Sequence, residues 1–376
     1  MQTNNLAKSK ISGHRVGIFF GEFAPLHVGH LSIIHQALME NDCVVLAISG
    51  SHRPNDRGMT IDLPLERRFR YLREAFNDEP QLRIVQINED DMPDYPNGWE
   101  AWVKAFRTQI LSVLEDDLEI NHQFTIYAGE AEYDDELLSR LPKTYRVQHV
   151  ERSLLPISAT QIRQNPVKYW NYIVPAFRRH FVKKVLIVGS ASTGKSTMIR
   201  RLAKQFQAPF SEEHARLYEE MYNVRDDELT ENDYIRFING QFDLNSQAID
   251  SPYSKGLAIL DTDAIVTRCY AKLYLPESAM KTLEPLFQYT IAKEEIDLIL
   301  VLPPVTDYVD DGFRAMEWAE TRDEYHEELM AELQEFGLMD KVKILNAGDA
   351  KGGFFARYKQ AEQAIEALFV GGKVER

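Results

Sequence analysis

Val16-Gly17-Ile18-Phe19-Phe20-Gly21-Glu22-Phe23-Ala24-Pro25-Leu26-His27-Val28-Gly29-His30 is the stretch on which the fold turns. A short apolar run reads as a buried parallel strand, and Gly21 directly after it lets the backbone turn close to a ligand with no Cβ in the way. The residues from Gly29 to Met39 read as the following helix. His27 and His30, three apart around the helix start, face one pocket, where two imidazoles offer donors to phosphate oxygens beside a helix N-terminus. Gly29 permits an adenine or ribose to approach the chain. Strand, glycine turn and helix in this order make the first unit an α/β unit.

The same grammar recurs at the midpoint. Lys184-Val185-Leu186-Ile187-Val188 leads into Gly189-Ser190-Ala191-Ser192-Thr193-Gly194-Lys195-Ser196, a G-x-x-x-x-G-K-[ST] phosphate loop, and Thr197 to Ala203 continue as a helix. Backbone N–H groups of Gly189, Ser192, Thr193, Gly194 and Thr197 are candidates to cradle phosphates. Lys195 would reach the β/γ phosphates and Ser196 would hold Mg²⁺. Leu257 to Asp263 ends an apolar strand in acids, and either Asp261 or Asp263 is placed to serve the same ion. Glu213 follows a short Pro209-Phe210 element, where it would orient an acceptor hydroxyl or take its proton; a solvated helix start is the plainer reading. Arg314, after the third strand of this half, is a candidate to stabilise transferring charge from a closing loop. Arg322, on the following segment, is the second candidate for that closing loop, with an ordinary surface arginine as the plainer reading.

Length and charge bound the rest. With 376 residues the chain is too long for one average core, so two α/β domains are expected, residues 16–182 and 183–376, after a polar tail of residues 1–15. A formal charge of -15 argues against an extended duplex-DNA footprint, so no DNA binding is expected. Two cysteines, Cys43 and Cys269, make neither a disulfide framework nor a thiolate metal site and read as small buried apolar residues. No apolar run reaches the roughly 18 residues of a membrane span, and the tail lacks the apolar core of a signal peptide, so a cytoplasmic protein is expected.

Further strands are expected at Val44–Ser49, Arg83–Ile87, Phe124–Ala128 and Tyr145–Val150, then at Leu257–Asp261, Ile296–Leu302 and Lys341–Leu345. Helical segments alternate with them, including Leu65–Phe76, Trp99–Leu114 and Gly353–Val370. Strands separated by helices imply two doubly wound parallel sheets, with ligands beyond the carboxyl ends of the strands. Trp99 and Trp102 place two indoles at the head of a helix, where an indole face stacks on a cationic pyridinium; core packing is the alternative. Arg53, Arg57, Arg67 and Arg68 read individually as solvated surface, with a phosphate contact among them as the sharper reading.

The first string resembles the G-x-F-x-P-x-H-x-G-H signature of the nucleotidylyltransferase superfamily, and Ile157-Ser158-Ala159-Thr160-Gln161-Ile162-Arg163 resembles its I-S-x-T-x-x-R motif. Ser158 can cap a helix, Thr160 can help bind phosphate, and Arg163 supplies a fixed positive fork. The resemblance implies a Rossmann-like domain in which a substrate phosphate attacks the α-phosphorus of ATP. It makes Gly21, Phe23, Gly29, Ser158 and Thr160 nucleotide contacts, and His27, His30 and Arg163 the catalytic set, with Mg²⁺ bridging the triphosphate. Taken with the phosphate loop, Tyr95 to Trp99, Tyr169 to Ile173 and Asp311 to Arg314, the chain resembles the bifunctional nicotinamide-nucleotide adenylyltransferase/ribosylnicotinamide kinase family, often called NadR. That resemblance implies that a P-loop kinase half uses ATP to turn nicotinamide riboside into nicotinamide mononucleotide, and that the other half makes NAD from it. A homo-oligomer and a functional link to a membrane riboside transporter belong to the same expectation. Some relatives carry an N-terminal helix-turn-helix; the fifteen residues ahead of Val16 leave no room for one, so a repressor role is not expected. Glu22 stands where relatives are often basic, and Glu212 where an aromatic is expected. A tandem enzyme for another vitamin and a nucleotide sensor without turnover are the rival readings.

Overall fold

The computed structural model describes residues 9–94, 97–128, 134–150, 157–304, 322–346 and 353–370. The chain divides into two compact units, Met1–Phe181 and Val182–Arg376.

In the first unit five parallel strands, β1 (Arg15–Gly21), β2 (Cys43–Gly50), β3 (Leu82–Asn88), β4 (Gln123–Ala128) and β5 (Tyr145–His149), lie in the order β3-β2-β1-β4-β5. All eight residues of β2 are buried, as a strand flanked on both edges and covered on both faces requires. The helices are α1 (Val28–Glu40), α2 (Leu65–Ala75), α3 (Trp99–Ser112), α4 (Asp134–Leu138), α5 (Ala159–Gln164) and α6 (Pro175–Arg178). Val103, Phe106 and Ile110 recur at three and four residues along α3, so one stripe of that helix is buried. They join a core with Val16, Ile18, Val45 and Ile126, each such side chain stabilising the fold by roughly 1.5–3 kcal/mol. The chain leaves β1 for α1 and β2 on one side and returns to β4 on the other. The carboxyl end of β1 is therefore the point where the strand order reverses, and Gly21 to His30 begins there.

Among its described residues the second unit holds a four-stranded parallel sheet of β6 (Lys183–Gly189), β7 (Leu257–Asp261), β8 (Leu298–Leu302) and β9 (Val342–Ile344), ordered β7-β6-β8-β9. Its helices are α7 (Lys195–Phe206), α8 (His214–Tyr222), α9 (Glu231–Ile249), α10 (Ala264–Tyr274), α11 (Glu277–Glu294), α12 (Arg322–Glu335) and α13 (Gly353–Val370). Strand β9 is shorter than its apolar stretch implies, because Met339–Lys341 closes into a 3₁₀ turn before it. Met198, Ile199 and Leu202 of α7 pack with Ala361 and Ile365 of α13 on the sheet. The phosphate-loop residues leave the carboxyl end of β6, between β7 and β8, which is again the reversal point.

Both cysteines are free and buried, and burial pushes the Cys43 thiol up to about 11. Among the described residues no helix is long and apolar enough to cross a membrane.

Candidate active sites

In the first unit a cavity of about 700 Å³ opens at the carboxyl end of β1. Gly21, His27, Gly29, His30, Thr160 and Arg163 all line it, although the last two come from residues far along the chain. The imidazoles of His27 and His30 stack with centroids 3.7 Å apart, and the His30 Nδ1 accepts the His27 backbone N–H at 3.3 Å. A Cβ on Gly29 would stand 3.1 Å from the His27 ring, so glycine lets the helix start close beneath that ring. Phe23 adopts φ +46 and its side chain is buried edge-on to His30 at 5.3 Å. That residue therefore also props up a histidine. His27 also bridges Ile173, and Val174 N–H donates to Leu26 O at 3.2 Å, so the Tyr169 to Val174 segment clamps the loop from below.

Helix α5 brings the second motif in. Ser158 caps it: its Oγ accepts the Gln161 N–H at 3.2 Å, while the Gln161 Oε1 accepts the Ser158 N–H at 2.9 Å. One turn on, Arg163 donates to the Ala24 carbonyl at 2.7 Å and to Thr160 Oγ1 at 2.9 Å. Thr160 and the loop thus hold the guanidinium at the cavity wall, and Arg57 lines the same cavity.

Two of the four arginines departed from the surface reading. Arg68 is fully buried and pairs with Asp56 at 2.9 Å, and its Nη1 donates to Glu22 O at 2.9 Å. Gly50 and Gly58 make this feasible, since a Cβ on either would meet the guanidinium at 2.7 and 2.6 Å. Arg53 is tied to Asp94 and to the carbonyls of Glu89 and Asp90. Trp102 is anchored: its ring stacks on Phe106 at 5.0 Å, and its Nε1 donates to Ser49 at 2.9 Å and Glu89 at 3.0 Å. Trp99 meets Trp102 edge-on at 6.0 Å, and both line the cavity.

The second unit presents the phosphate loop. Gly189 has φ +150 and a Cβ there would strike Leu302 O at 2.5 Å, while Gly194 has φ +89 at the start of α7. The Lys195 ammonium donates to Gly189 O at 2.9 Å and Ser190 O at 3.1 Å, and Thr193 Oγ1 donates to Ser190 O at 2.9 Å. Ser192 takes φ +58, and Thr197 is exposed on the first turn of α7. Ser196 Oγ donates to Asp261 Oδ2 at 3.4 Å. Burial and the nearby Glu213 carboxylate push the Asp261 carboxyl above its ordinary value, while Lys195 pulls it down. A hydroxyl and a buried carboxylate side by side suit a hard divalent cation such as Mg²⁺. Among the described residues no cluster of three or more His, Cys, Asp or Glu could hold a metal, so such an ion would lean on phosphate oxygens.

The two aspartates have different surroundings. Asp263 caps α10 by accepting the Val266 N–H at 3.0 Å, and burial raises its carboxyl and that of neighbouring Glu294. It is Asp261 that faces Ser196. Glu213 sits at the start of α8 and lines a small cavity with Glu219, Asp226, Tyr234, Phe237 and Tyr270. Arg314 lies outside the described residues. Arg322, expected at the surface, is buried in the first turn of α12.

Three contributors were missed in the sequence. Gln241 accepts the His214 N–H at 2.8 Å and donates to Asp261 O at 2.8 Å, joining the Glu213 segment to the acid strand. Asn245 accepts from Ser211 Oγ at 2.7 Å, and Ser211 Oγ accepts the Asp261 N–H at 3.1 Å. The signal was there: Gln241 and Asn245 continue the buried stripe of Tyr234, Phe237 and Ile238 on α9. Arg357, buried in α13, donates to Thr193 O at 3.3 Å and braces the phosphate loop. Nothing local marks it out.

Fold and sites together define a two-unit α/β transferase, with a nucleotidyltransferase-type unit followed by a phosphate-loop unit. Residues 18–165 match the cytidylyltransferase-like family model, and residues 184–351 match the AAA domain model. The trifunctional NAD biosynthesis/regulator protein NadR of Salmonella typhimurium strain LT2 is 31% identical over 313 residues, 80% of this chain and 72% of that protein. A solved NadR protein in complex with NR is 50% identical, with TM-score 0.87 over 98% of this chain and 100% of that one. A second, in complex with NAD and AMP-PNP, is also 50% identical, with TM-score 0.84 over 98% and 99%. The chain belongs to the NadR family, and it is a transferase of NAD biosynthesis.

Proposed function

We propose that the chain makes NAD in two ATP-dependent steps, one per unit. The second unit phosphorylates nicotinamide riboside to nicotinamide mononucleotide; the first transfers AMP from ATP to that mononucleotide, giving NAD and pyrophosphate. The observation that carries this reading is that each unit presents a glycine turn at the reversal point of its own parallel sheet, with a different functional set: two stacked imidazoles and Arg163 in one, Lys195, Ser196 and Asp261 in the other. The NR, NAD and AMP-PNP complexes of relatives at 50% identity support the same substrates here.

In the kinase unit the riboside lies beside Glu213, whose carboxylate takes the proton of the attacking hydroxyl as its oxygen bonds to the γ-phosphorus and ADP leaves. The acids and aromatic rings around that small cavity suit a cationic pyridinium. Lys195 turns from the loop carbonyls to the β/γ phosphates, and loop N–H groups hold them. Ser196 and Asp261 would hold Mg²⁺, which would supply neutralisation of phosphate charge. Arg314 is assigned to the transferring charge by its place in the sequence alone.

In the adenylyltransferase unit a phosphate oxygen of the mononucleotide bonds to the α-phosphorus of ATP, and the bond to the pyrophosphate breaks. His27, His30 and Arg163 stabilise the charge on the triphosphate as this happens, and Ser158, Thr160 and the Gly21 to Gly29 backbone position it. Trp99 is the better of the two indoles for the nicotinamide ring, since Trp102 is stacked on Phe106 and tied through its N–H.

Mass spectrometry after incubation with nicotinamide riboside, ATP and Mg²⁺ tests both halves. Mononucleotide and NAD are both expected. Lys195→Ala should abolish the first product while supplied mononucleotide is still converted to NAD, and His30→Ala should do the reverse. Loss of both steps in either variant overturns the assignment of one step per unit.

A further inference from the structure

Glu22 lines the first cavity and has no part in the proposed adenylyl-transfer chemistry. Its backbone carbonyl accepts from the buried Arg68 at 2.9 Å, so the main chain at this point is pinned. The side chain turns into the cavity wall, with Oε2 buried, without a hydrogen-bond partner among the described residues, and 3.7 Å from Arg57 Nε. Arg68 and then, more weakly, Arg163 on α5 also act on this carboxylate, and Asp56, in the loop after β2, is the anion that opposes them. One carboxylate therefore lies beside Arg57 and within electrostatic reach of Arg163, and all three side chains line the same cavity. Arg53 and Arg68 are engaged elsewhere, with Asp94 and Asp56.

We propose that Glu22 is an affinity-setting residue of the adenylyltransferase site: it occupies Arg57 and Arg163 electrostatically, and an incoming triphosphate must displace that interaction and then lie beside the carboxylate. The inference rests on the reading of the first unit as the adenylyltransferase. Its consequence is a raised KM for ATP in the second step of NAD synthesis, with kcat little changed, because the penalty falls on binding the triphosphate. Burial also holds the Glu22 carboxyl above the ordinary carboxylate range, against the pull of Arg57, Arg68 and Arg163. Protonation removes the charge, so the penalty is smallest at low pH and grows as pH rises through that raised value.

The test varies ATP at saturating nicotinamide mononucleotide and follows NAD, comparing wild type, Glu22→Gln and Glu22→Lys at pH 5 to 8. KM for ATP should fall roughly fivefold in Glu22→Gln, the size of a partly screened charge interaction, and further in Glu22→Lys. The gap between wild type and Glu22→Gln should widen with pH. Riboside phosphorylation by the same preparations, which depends on the other unit, reports that each variant is folded and should not change. An unchanged or higher KM in both variants, with phosphorylation intact, overturns the proposal. Wild type that makes no NAD from supplied mononucleotide removes the adenylyltransferase reading itself, and the proposal with it.

Discussion

Single residues do their work here through the room left for them. Gly240 stands inside α9, where alanine is intrinsically better by about 1 kcal/mol. A Cβ at that position would nevertheless lie 2.2 Å from His214 Nε2, and that ring is packed against Tyr218 and Phe237. Overpacking a site of this kind costs about 1–3 kcal/mol, which exceeds the helix gain. Gly240→Ala should therefore destabilise the second unit and displace the residue next to Glu213. Riboside phosphorylation should drop while adenylylation of supplied mononucleotide stays, a difference that parallel assays of the two steps would read. Arg68 obeys the same logic in the first unit, where Gly50 and Gly58 leave space for its guanidinium.

At the scale of elements, short pieces carry long-range geometry. Helix α5 is six residues long and cannot persist by propensity alone, so its reciprocal Ser158–Gln161 cap and the Arg163 bond to Ala24 O are what hold it to the loop after β1. Ser158→Ala should cost about 1 kcal/mol, read as a lower midpoint in denaturant. Adenylylation should weaken with it, because Arg163 loses its fixed base. Wild-type adenylylation in this variant would show that the cap does not position Arg163. On α9 the buried amides of Gln241 and Asn245 do for the second site what the cap does for the first, linking the Glu213 segment to β7 by hydrogen bonds within a packed core. Helix α12 is held to α10 by Arg268 and Lys272, which converge on the fully buried Glu332.

For the whole molecule, the division into two units makes a prediction about the order of steps. The sites belong to different sheets, and each carries its own candidate phosphate-handling groups. An equimolar mixture of Lys195→Ala and His30→Ala proteins should then make NAD from nicotinamide riboside, with free mononucleotide accumulating before NAD appears. No NAD from the mixture, with each variant active in its remaining step, would mean that the intermediate does not leave one chain for another.

The sequence by itself determined the order of the elements, the two glycine turns and the candidate residues within each motif, because apolar runs, glycine after a strand and the lysine-serine pair act through local backbone chemistry. It also carried the family resemblance. Tertiary structure decided what depends on neighbours distant in the chain. It separated Asp261, which faces Ser196, from Asp263, which caps α10. It buried Arg68 and Arg322, and it anchored Trp102 through Phe106, Ser49 and Glu89 on a cavity wall that both indoles line. It also brought Arg357 to the phosphate loop from 164 residues away. An arginine or an aspartate looks alike on any stretch of chain; its charge, partner and burial are set only when other elements close around it.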